Sequence, residues 1–263
     1  MSIPAVTLVI PTLNERDNIA PLLAEIGTAL GDITWEAVFV DDSRDGTDGV
    51  IERLACSDPR IRLLHRTGTG LSLASAVVDG IARARGDYIC VLDADLQHPP
   101  DRIVAMLDEA RRTGADIVVA SRYVPGGSAG GLAGPLRHLY SVGLKQLSRA
   151  MFPRRLAGIT DPLGGYFLMR RDLVQGVRLR PIGYKILLEV LVRTHWRRVR
   201  EVPYRFRPRQ HGVSKADLPQ GITFLRHLGR LGWSCSPALA PMRSLVSRAA
   251  RGCRGVDTGG PST

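Results

Sequence analysis

Residues 87–100 have the sequence DYICVLDADLQHPP, an apolar run that ends in two closely spaced aspartates. Its apolar run, Tyr88 to Leu92, is typical of a buried strand, and Asp93, Asp95 and Gln97 follow at alternate positions. Because successive side chains of an extended chain point to opposite faces, these three can share one face. Their oxygens suit Mg²⁺ or Mn²⁺, which take few protein ligands. The pattern predicts a divalent cation site at a strand end, although an Asp-x-Asp alone equally fits a polar turn that caps a helix.

Apolar runs alternate with amphipathic stretches along the first half of the chain. They predict strands at 5–11, 35–40, 61–65, 88–92 and 116–121, and helices at 15–30, 46–56, 71–85 and 100–112. This alternation favours an α/β fold with a doubly wound, mostly parallel sheet, whose ligands bind beyond the carboxyl ends of the strands. The residues that follow predicted strands are therefore expected to lie together; they are Pro11, Asp41, Asp42, Asp93, Asp95 and Arg122.

The second half is expected to add helices, strands and a loop beside the site. Helices are predicted at 136–152, 183–195 and 217–233, a turn leading into a strand at 161–170, and a half-buried strand at 198–207. The Gly-rich segment 123–134 is interpreted as a mobile lid or a plain linker. Lys185 and Glu189, four residues apart on a helix, are interpreted as a surface pair. A basic loop is predicted at 209–215, and the composition of 236–263 predicts a disordered tail.

Charge is distributed unevenly along the chain. The net charge is +11, yet residues 1–134 hold 12 Lys and Arg against 19 Asp and Glu, whereas residues 135–263 hold 24 against 6. This asymmetry indicates a cation-and-phosphate site that faces an anionic partner, such as nucleic acid, an anionic membrane or a phosphorylated lipid. The four cysteines lack metal-type spacing, which favours a reduced, cytoplasmic setting, and no signal peptide or membrane-spanning run is found.

Six short motifs lie in order along the chain, each at the boundary of a predicted element. They are VIPTLNE at 9–15, VDDSRDGT at 40–47, DADLQHPP at 93–100, SRY at 121–123, GYKILLE at 183–189 and RQHGVSK at 209–215. Together they resemble the motifs of family 2 glycosyltransferases, specifically the polyprenyl (dolichyl) phosphate mannose synthases, over roughly residues 5–230. The resemblance implies a glycosyltransferase-A fold with a Rossmann-like nucleotide-binding half.

The resemblance also implies roles for the residues that match these motifs. The nucleotide would be bound by Pro11, Leu13, Glu15, Asp41, Asp42, Asp93 and Ala94. Mg²⁺ or Mn²⁺ would be bound on the diphosphate by Asp93, Asp95 and Gln97. The phosphates of donor and acceptor would be surrounded by Arg122, Arg137, Arg209 and Lys215. Catalysis would then depend chiefly on Asp93, Asp95, Arg122 and Arg209.

The implied reaction is inverting transfer of a hexose, with mannose from GDP-mannose favoured, to a polyprenyl monophosphate. One catalytic domain over 1–235 is expected, with a nucleotide-sugar half at 1–122 and an acceptor half at 123–235. The expected location is cytoplasmic and peripheral on the inner face of the membrane, with an anionic lipid surface and no nucleic acid as a partner. In the last helix Phe224 and Trp233 would meet the interface, and Arg226 and Arg230 the headgroups, although an amphipathic helix packed on the sheet fits the same apolar stripe.

Departures and alternatives qualify this interpretation. Gly164 stands where the family often has Ser or Thr, and Ala216 replaces the usual Leu, which bears on the acceptor. A family 2 enzyme using a UDP-sugar, with glucose or N-acetylhexosamine passed to polyprenyl phosphate or a saccharide, fits the same motifs. A nucleotidyltransferase would also use paired aspartates, but a Gly-rich phosphate loop is missing. A basic module that binds membrane or nucleic acid would leave the acidic strand ends unexplained.

Overall fold

The computed structural model describes residues 3–69, 71–130, 135–208 and 218–235. Within them the strands are β1 (Val6–Thr12), β2 (Trp35–Asp41), β3 (Ile61–His65), β4 (Tyr88–Val91), β5 (Ile117–Ser121), β6 (Phe167–Arg170) and β7 (Val199–Pro203). The helices are α1 (Ile19–Leu30), α2 (Thr47–Ser57), α3 (Leu73–Ile81), α4 (Asp101–Thr113), α5 (Pro135–Met151), α6 (Ile186–Arg193) and α7 (Leu218–Cys235). The predicted basic loop at 209–215 and the predicted tail at 236–263 lie outside the described residues.

The strands form one sheet in the order β3-β2-β1-β4-β6-β5-β7. Strand β6 runs antiparallel to β4 and β5, and every other pairing is parallel. The predicted doubly wound, mostly parallel sheet is therefore confirmed. Since β1, β2, β4 and β5 share one direction, their carboxyl ends lie at one edge of the sheet.

The side chains of β1 point alternately to the two faces of the sheet, and each face has its own hydrophobic core. Leu8 and Ile10 pack on one face of the sheet with α1, α2 and α4, whereas Val9 packs on the other with α3, α6 and α7. All three are fully buried, and such burial stabilises the fold by about 1.5–3 kcal/mol for each large aliphatic side chain. This double coverage explains why the central strands β1 and β4 are mostly apolar rather than alternating with polar residues.

Pro11 lies inside β1 rather than ending it, so the predicted strand end at 11 is one residue early. The carbonyl of Val9 points toward β4, where it accepts a hydrogen bond from Leu92 N. Pro11 lies two residues further along β1, so its nitrogen faces the same side. Strand β4 ends at Val91, so no ladder donor is needed from residue 11 on that side. A proline is therefore tolerated at this position of an otherwise central strand.

The predicted surface pair of Lys185 and Glu189 is wrong. Glu189 is fully buried between α6 and α7, where it accepts a hydrogen bond from Arg180 N (2.7 Å) and pairs with Arg193. Lys185 instead donates to the carbonyl of Leu163 (2.9 Å). Helix α7 also corrects the expectation for Phe224, which is buried in the core rather than offered to an interface.

The buried pair of His227 and Glu189 makes stability depend on pH. His227 Nδ1 accepts from Ile182 N (3.2 Å), so its proton lies on Nε2, 3.6 Å from the Glu189 carboxylate. Burial lowers the pKa of His227 below its ordinary value of 6.5; Glu189 opposes this shift, and Arg193 and Arg230 add to it. The unfolded chain therefore binds this proton more readily, and the contribution to stability is lost as pH falls below about 6.5.

We expect the melting temperature of the wild type to fall more between pH 7.5 and pH 5.5 than that of His227→Gln, which cannot take up the proton. The measurement is thermal unfolding followed by circular dichroism at both pH values. His195→Gln is the control, because it makes the same substitution at an exposed position. Equal pH dependence in the wild type and His227→Gln would contradict the assignment.

Candidate active site

The site lies at the sheet edge where β1, β2, β4 and β5 end. Asp42 follows β2, the aspartates of the 93–97 segment follow β4, and Arg122 follows β5. The expected gathering of these strand-end residues at one edge is confirmed by the topology. The segment 161–165 contacts both Arg122 and the 93–97 segment. Asp161 binds Arg122, and a Cβ placed on Gly165 would lie 3.6 Å from the Asp93 carboxylate.

The segment 93–97 is a turn rather than a continued strand, so the argument from alternating faces is wrong. Leu96 is buried with φ +63°, a left-handed conformation that a branched side chain adopts only when its surroundings hold it there. Asp95 is buried and its Oδ1 accepts from Gln97 N (3.2 Å), whereas the Asp93 side chain is 36% exposed. The two carboxylates are thus placed by a tight turn, which we name the aspartate turn.

The aspartate turn suits a divalent cation that takes only a few protein ligands. Its donors are the carboxylates of Asp93 and Asp95, while Gln97 uses its Nε2 to donate to the carbonyl of Arg207 (3.0 Å). No cluster of three or more His, Cys, Asp or Glu residues with metal-binding geometry occurs among the described residues. Two hard oxygen donors, of which Asp93 is partly exposed, fit Mg²⁺ or Mn²⁺, which complete their coordination with water and substrate phosphates.

His98 holds the aspartate turn from within. Its Nδ1 accepts from Asp93 N (3.0 Å), and its ring stacks on Tyr166 at 4.8 Å between centroids. The Tyr166 hydroxyl donates to the carbonyl of Pro99 (2.8 Å), and Tyr204 packs edge-on against both rings. Sequence analysis did not identify Tyr166 or Tyr204, because their contacts join segments about 70 to 110 residues apart.

The acidic pair at the end of β2 consists of an inner carboxylate, Asp41, and an outer carboxylate, Asp42. Asp41 is fully buried and accepts from Thr12 Oγ1 (2.7 Å) and Ser43 Oγ (2.5 Å), with His65 Nδ1 at 2.9 Å. Asp42 forms an ion pair with Arg66 (2.5 Å), which also holds Asp79 (2.9 Å). The structure therefore places Asp41 among internal partners and leaves Asp42 nearer the surface.

The structure gives the surroundings of three other residues predicted for the nucleotide. Leu13 is exposed, Glu15 accepts from Asn18 Nδ2 (2.6 Å) and Ala94 is buried. Arg66, which sequence analysis did not select, fixes the Asp42 carboxylate from the loop after β3. The one sequence feature that could have identified Arg66 is its position immediately after a predicted strand.

Arg122 is mostly buried and forms a two-point contact with Asp161. Its Nε donates to Oδ2 (2.8 Å) and its Nη2 to Oδ1 (2.9 Å). Burial lowers the pKa of Arg122, but the hydrogen bonds and charge of Asp161 outweigh this and raise the pKa above the ordinary value. The guanidinium is therefore always charged and its plane is fixed.

A second cation, Lys145, lies next to Arg122. The Lys145 ammonium lies 3.9 Å from the centre of the Tyr123 ring, and the Arg122 guanidinium carbon lies 5.4 Å from the same ring. Burial and the charges of Arg149 and Arg122 lower the pKa of Lys145, while Asp161 and Glu201 oppose the shift. These three cations outnumber the two carboxylates, which favours binding of an anion. Lys145 was not predicted from the sequence because it resembles any other surface lysine of an amphipathic helix.

Three predicted phosphate-binding residues are not placed by the structure. Arg137 belongs to α5, but its side chain is outside the described part of the chain. Arg209 and Lys215 lie outside the described residues altogether. Their roles remain predictions from the sequence.

The strand order and the strand-end site define a glycosyltransferase-A fold. Glucosyl-3-phosphoglycerate synthase from Mycobacterium tuberculosis, crystallised with Mn²⁺, UDP and glucosyl-3-phosphoglycerate, shares this fold with a TM-score of 0.63 and 19% identity, over 88% of this chain and 80% of that one. The model of the family described as Glycosyl transferase family 2 matches residues 7–178. The chain therefore belongs to glycosyl transferase family 2, as its motifs predict.

Two curated relatives are similar over most of the chain. The dolichol-phosphate mannosyltransferase of Pyrococcus furiosus is 40% identical over 228 residues, which are 86% of this chain and 63% of that protein. The polyprenol monophosphomannose synthase of Mycolicibacterium smegmatis is 33% identical over 222 residues, 79% of each. The chain thus spans less than two thirds of the Pyrococcus protein. Within its described residues, every helix is too short or too polar to cross a membrane.

Proposed function

We propose that this protein is an inverting glycosyltransferase that moves mannose from GDP-mannose to a polyprenyl monophosphate. The observation that carries the proposal is the placing of the aspartate turn beside Arg122 at one sheet edge, in a chain 40% identical to a dolichol-phosphate mannosyltransferase. We assign the donor to residues 1–122 and the acceptor to 123–235, within one catalytic domain.

The acceptor needs no strong base from the protein. A phosphate monoester has a second pKa near 6 and is mostly dianionic at pH 7, so the nucleophile is already charged. The obstacle is the repulsion between this phosphate and the diphosphate of the donor. Arg122 and Lys145 lower that repulsion, and we assign Arg137, Arg209 and Lys215 to the same task. Direct attack by the phosphate oxygen on the sugar carbon, with departure of the nucleoside diphosphate, inverts the configuration.

The donor is assigned to the aspartate turn and the neighbouring acidic loop. Asp93 and Asp95 would hold Mg²⁺ or Mn²⁺, with Gln97 beside them. When bound, such a cation neutralises the charge that develops on the leaving diphosphate. Asp42 and Glu15 supply oxygens that accept hydrogen bonds from base N–H groups or ribose hydroxyls, and Pro11, Leu13 and Ala94 supply apolar contacts.

The nucleotide preference tests the donor assignment. Isothermal titration calorimetry with GDP and with UDP, each with Mg²⁺ and with Mn²⁺, should show tighter binding of GDP. Tighter binding of UDP would favour the alternative, a family 2 enzyme that uses a UDP-sugar. The metal giving the tighter complex identifies the preferred cofactor.

We also propose that the protein works peripherally on the cytoplasmic face of an anionic membrane. Of the eight exposed large apolar side chains among the described residues, six lie on α5, on α7 or at the start of α3; they are Leu71, Leu73, Leu147, Met151, Leu225 and Trp233. The three elements are neighbours. Ala74 N donates to the carbonyl of Gly183 (3.0 Å), a Cβ on Gly183 would lie 3.1 Å from Thr223, and one on Gly232 would lie 3.0 Å from Met151.

Charge on this surface favours anionic lipid. Neither α5 nor α7 contains an Asp or Glu, and Arg226 and Arg230 are exposed on α7 beside Leu225 and Trp233, which are each 51% exposed. Exposed apolar side chains flanked by arginines are typical of helices that lie in a lipid headgroup layer. Each arginine near an anionic surface contributes about 1 kcal/mol. Since the proposed acceptor is a lipid, this face would bring the site to it.

Replacing Arg226 and Arg230 by Glu should weaken binding to vesicles that contain anionic lipid by at least about tenfold at low salt, given about 1 kcal/mol for each arginine. The measurement is vesicle flotation at low and high salt. The control is Arg197→Glu with Arg200→Glu, which makes the same charge change at exposed positions near β7. Equal losses in both double variants, or no flotation of the wild type, would contradict this docking face.

A further inference from the structure

Glu201 holds the segment that carries Asp161. It lies in β7, opposite Val119 of β5, and its carboxylate accepts three hydrogen bonds. Oε2 accepts from Thr160 N (2.8 Å), and Oε1 accepts from Thr160 Oγ1 (3.0 Å) and Asp161 N (3.1 Å). Residues 160 and 161 belong to no helix or strand, so these two backbone N–H groups have no ladder partner, and Glu201 supplies their acceptor.

The segment that Glu201 holds contacts both the side chain of Arg122 and the residues next to Arg122 in the chain. Asp161 binds the Arg122 guanidinium at two points, at 2.8 and 2.9 Å. Thr160 Oγ1 lies 2.6 Å from Ser121 Oγ, and Ser121 Oγ accepts from Tyr123 N (3.2 Å). The residues before and after Arg122 are therefore tied to the same segment that fixes its side chain.

We propose that Glu201 is a positioning residue for sugar transfer: by holding Thr160 and Asp161 it orients Arg122 toward the reacting phosphates. The proposal rests on the proposed function, because the phosphates are assigned to Arg122 there. We assign Glu201 no contact with the substrate. Its effect on the reaction passes entirely through Asp161 and Arg122.

Glu201→Gln should lower kcat about tenfold, because an amide offers one oxygen and one amino group where three donors need acceptors. The fold should tolerate the change, since Glu201 lines an open cavity of about 800 Å³ where water can solvate the amide.

The matched control is Glu36→Gln. Glu36 likewise accepts from a hydroxyl, Thr7 Oγ1 (2.7 Å), and from a backbone N–H, Arg85 N (2.8 Å), but it lies near the start of β2, at the opposite edge of the sheet. It should lower the melting temperature and leave kcat unchanged.

The decisive comparison is a double-mutant cycle with Arg122→Gln. If Glu201 acts through Arg122, adding Glu201→Gln to Arg122→Gln should lower kcat no further, whereas a merely structural effect would add its full tenfold. Full additivity, or wild-type kcat in Glu201→Gln alongside a slow Arg122→Gln, would overturn the inference and leave the proposed function standing. Wild-type kcat in Arg122→Gln would overturn the site assignment and the inference together.

A second measurement does not depend on transfer. Amide hydrogen exchange at Thr160 and Asp161 should become faster in Glu201→Gln and stay unchanged in Glu36→Gln. Unchanged protection of both amides in Glu201→Gln would overturn the inference even if the wild type transferred no sugar in the assay, an outcome that would count against the proposed function alone.

Discussion

Asp95→Asn is expected to slow sugar transfer by roughly 10²–10³-fold, the usual effect of removing one charge-stabilising group from an active site. The substitution removes a charge from the aspartate turn and keeps an oxygen that can accept from Gln97 N, so the turn should survive. The melting temperature should therefore remain close to that of the wild type. The measurement is kcat with GDP-mannose and polyprenyl phosphate, at saturating Mg²⁺ or Mn²⁺.

Asp101→Asn is the matched control for this prediction. Asp101 lies at the start of α4, six residues beyond Asp95, and its exposed carboxylate pairs with Arg102. It should transfer sugar at the wild-type rate. An Asp95→Asn enzyme with near-normal turnover in chelator-treated buffer would contradict the assignment of the aspartate turn to a cation.

Arg122→Gln is expected to damage activity and stability together. It leaves the Asp161 carboxylate, whose side chain is 2% exposed, buried without its charge partner, and breaking a buried ion pair in this way costs about 3–5 kcal/mol of unfolding free energy. It also removes a fixed positive charge from the position to which we assign the reacting phosphates, and we expect a loss of about 10²-fold in kcat. Chemical denaturation and transfer kinetics measure the two effects.

A double substitution separates the two effects. Arg122→Gln combined with Asp161→Asn removes both buried charges, so much of the lost stability should return while kcat stays low. Recovery of activity along with stability would show that Arg122 serves only the fold, and the phosphate assignment would then be wrong.

The strand ends could be predicted from sequence because each is marked by an apolar run that stops at a polar residue. This local signal placed Asp42, Asp93 and Arg122 at one edge of the sheet, and the topology agrees. The same signal failed within the aspartate turn. There the left-handed Leu96 changes the direction of the chain, and alternation no longer decides which side chains share a face.

Partners that come from distant segments could not be predicted from sequence. Glu189 is buried because α7 packs over α6, and the periodicity of α6 alone fits a surface ion pair equally well. Asp161 and Glu201 are 39 and 79 residues from Arg122, in a turn and an edge strand that nothing local connects to β5. Such contacts follow from strand order, and the antiparallel insertion of β6 between β4 and β5 left no mark in the hydrophobic pattern.

The proposed reaction is transfer of mannose from GDP-mannose to a polyprenyl phosphate. The most direct measurement incubates the protein with polyprenyl phosphate and radiolabelled GDP-mannose, and in parallel with radiolabelled UDP-glucose, then follows the label into organic solvent. We expect label in the organic phase from GDP-mannose with the wild type, and almost none with Asp95→Asn or without polyprenyl phosphate. Label transferred from UDP-glucose but not from GDP-mannose, or equal transfer by Asp95→Asn, would contradict it.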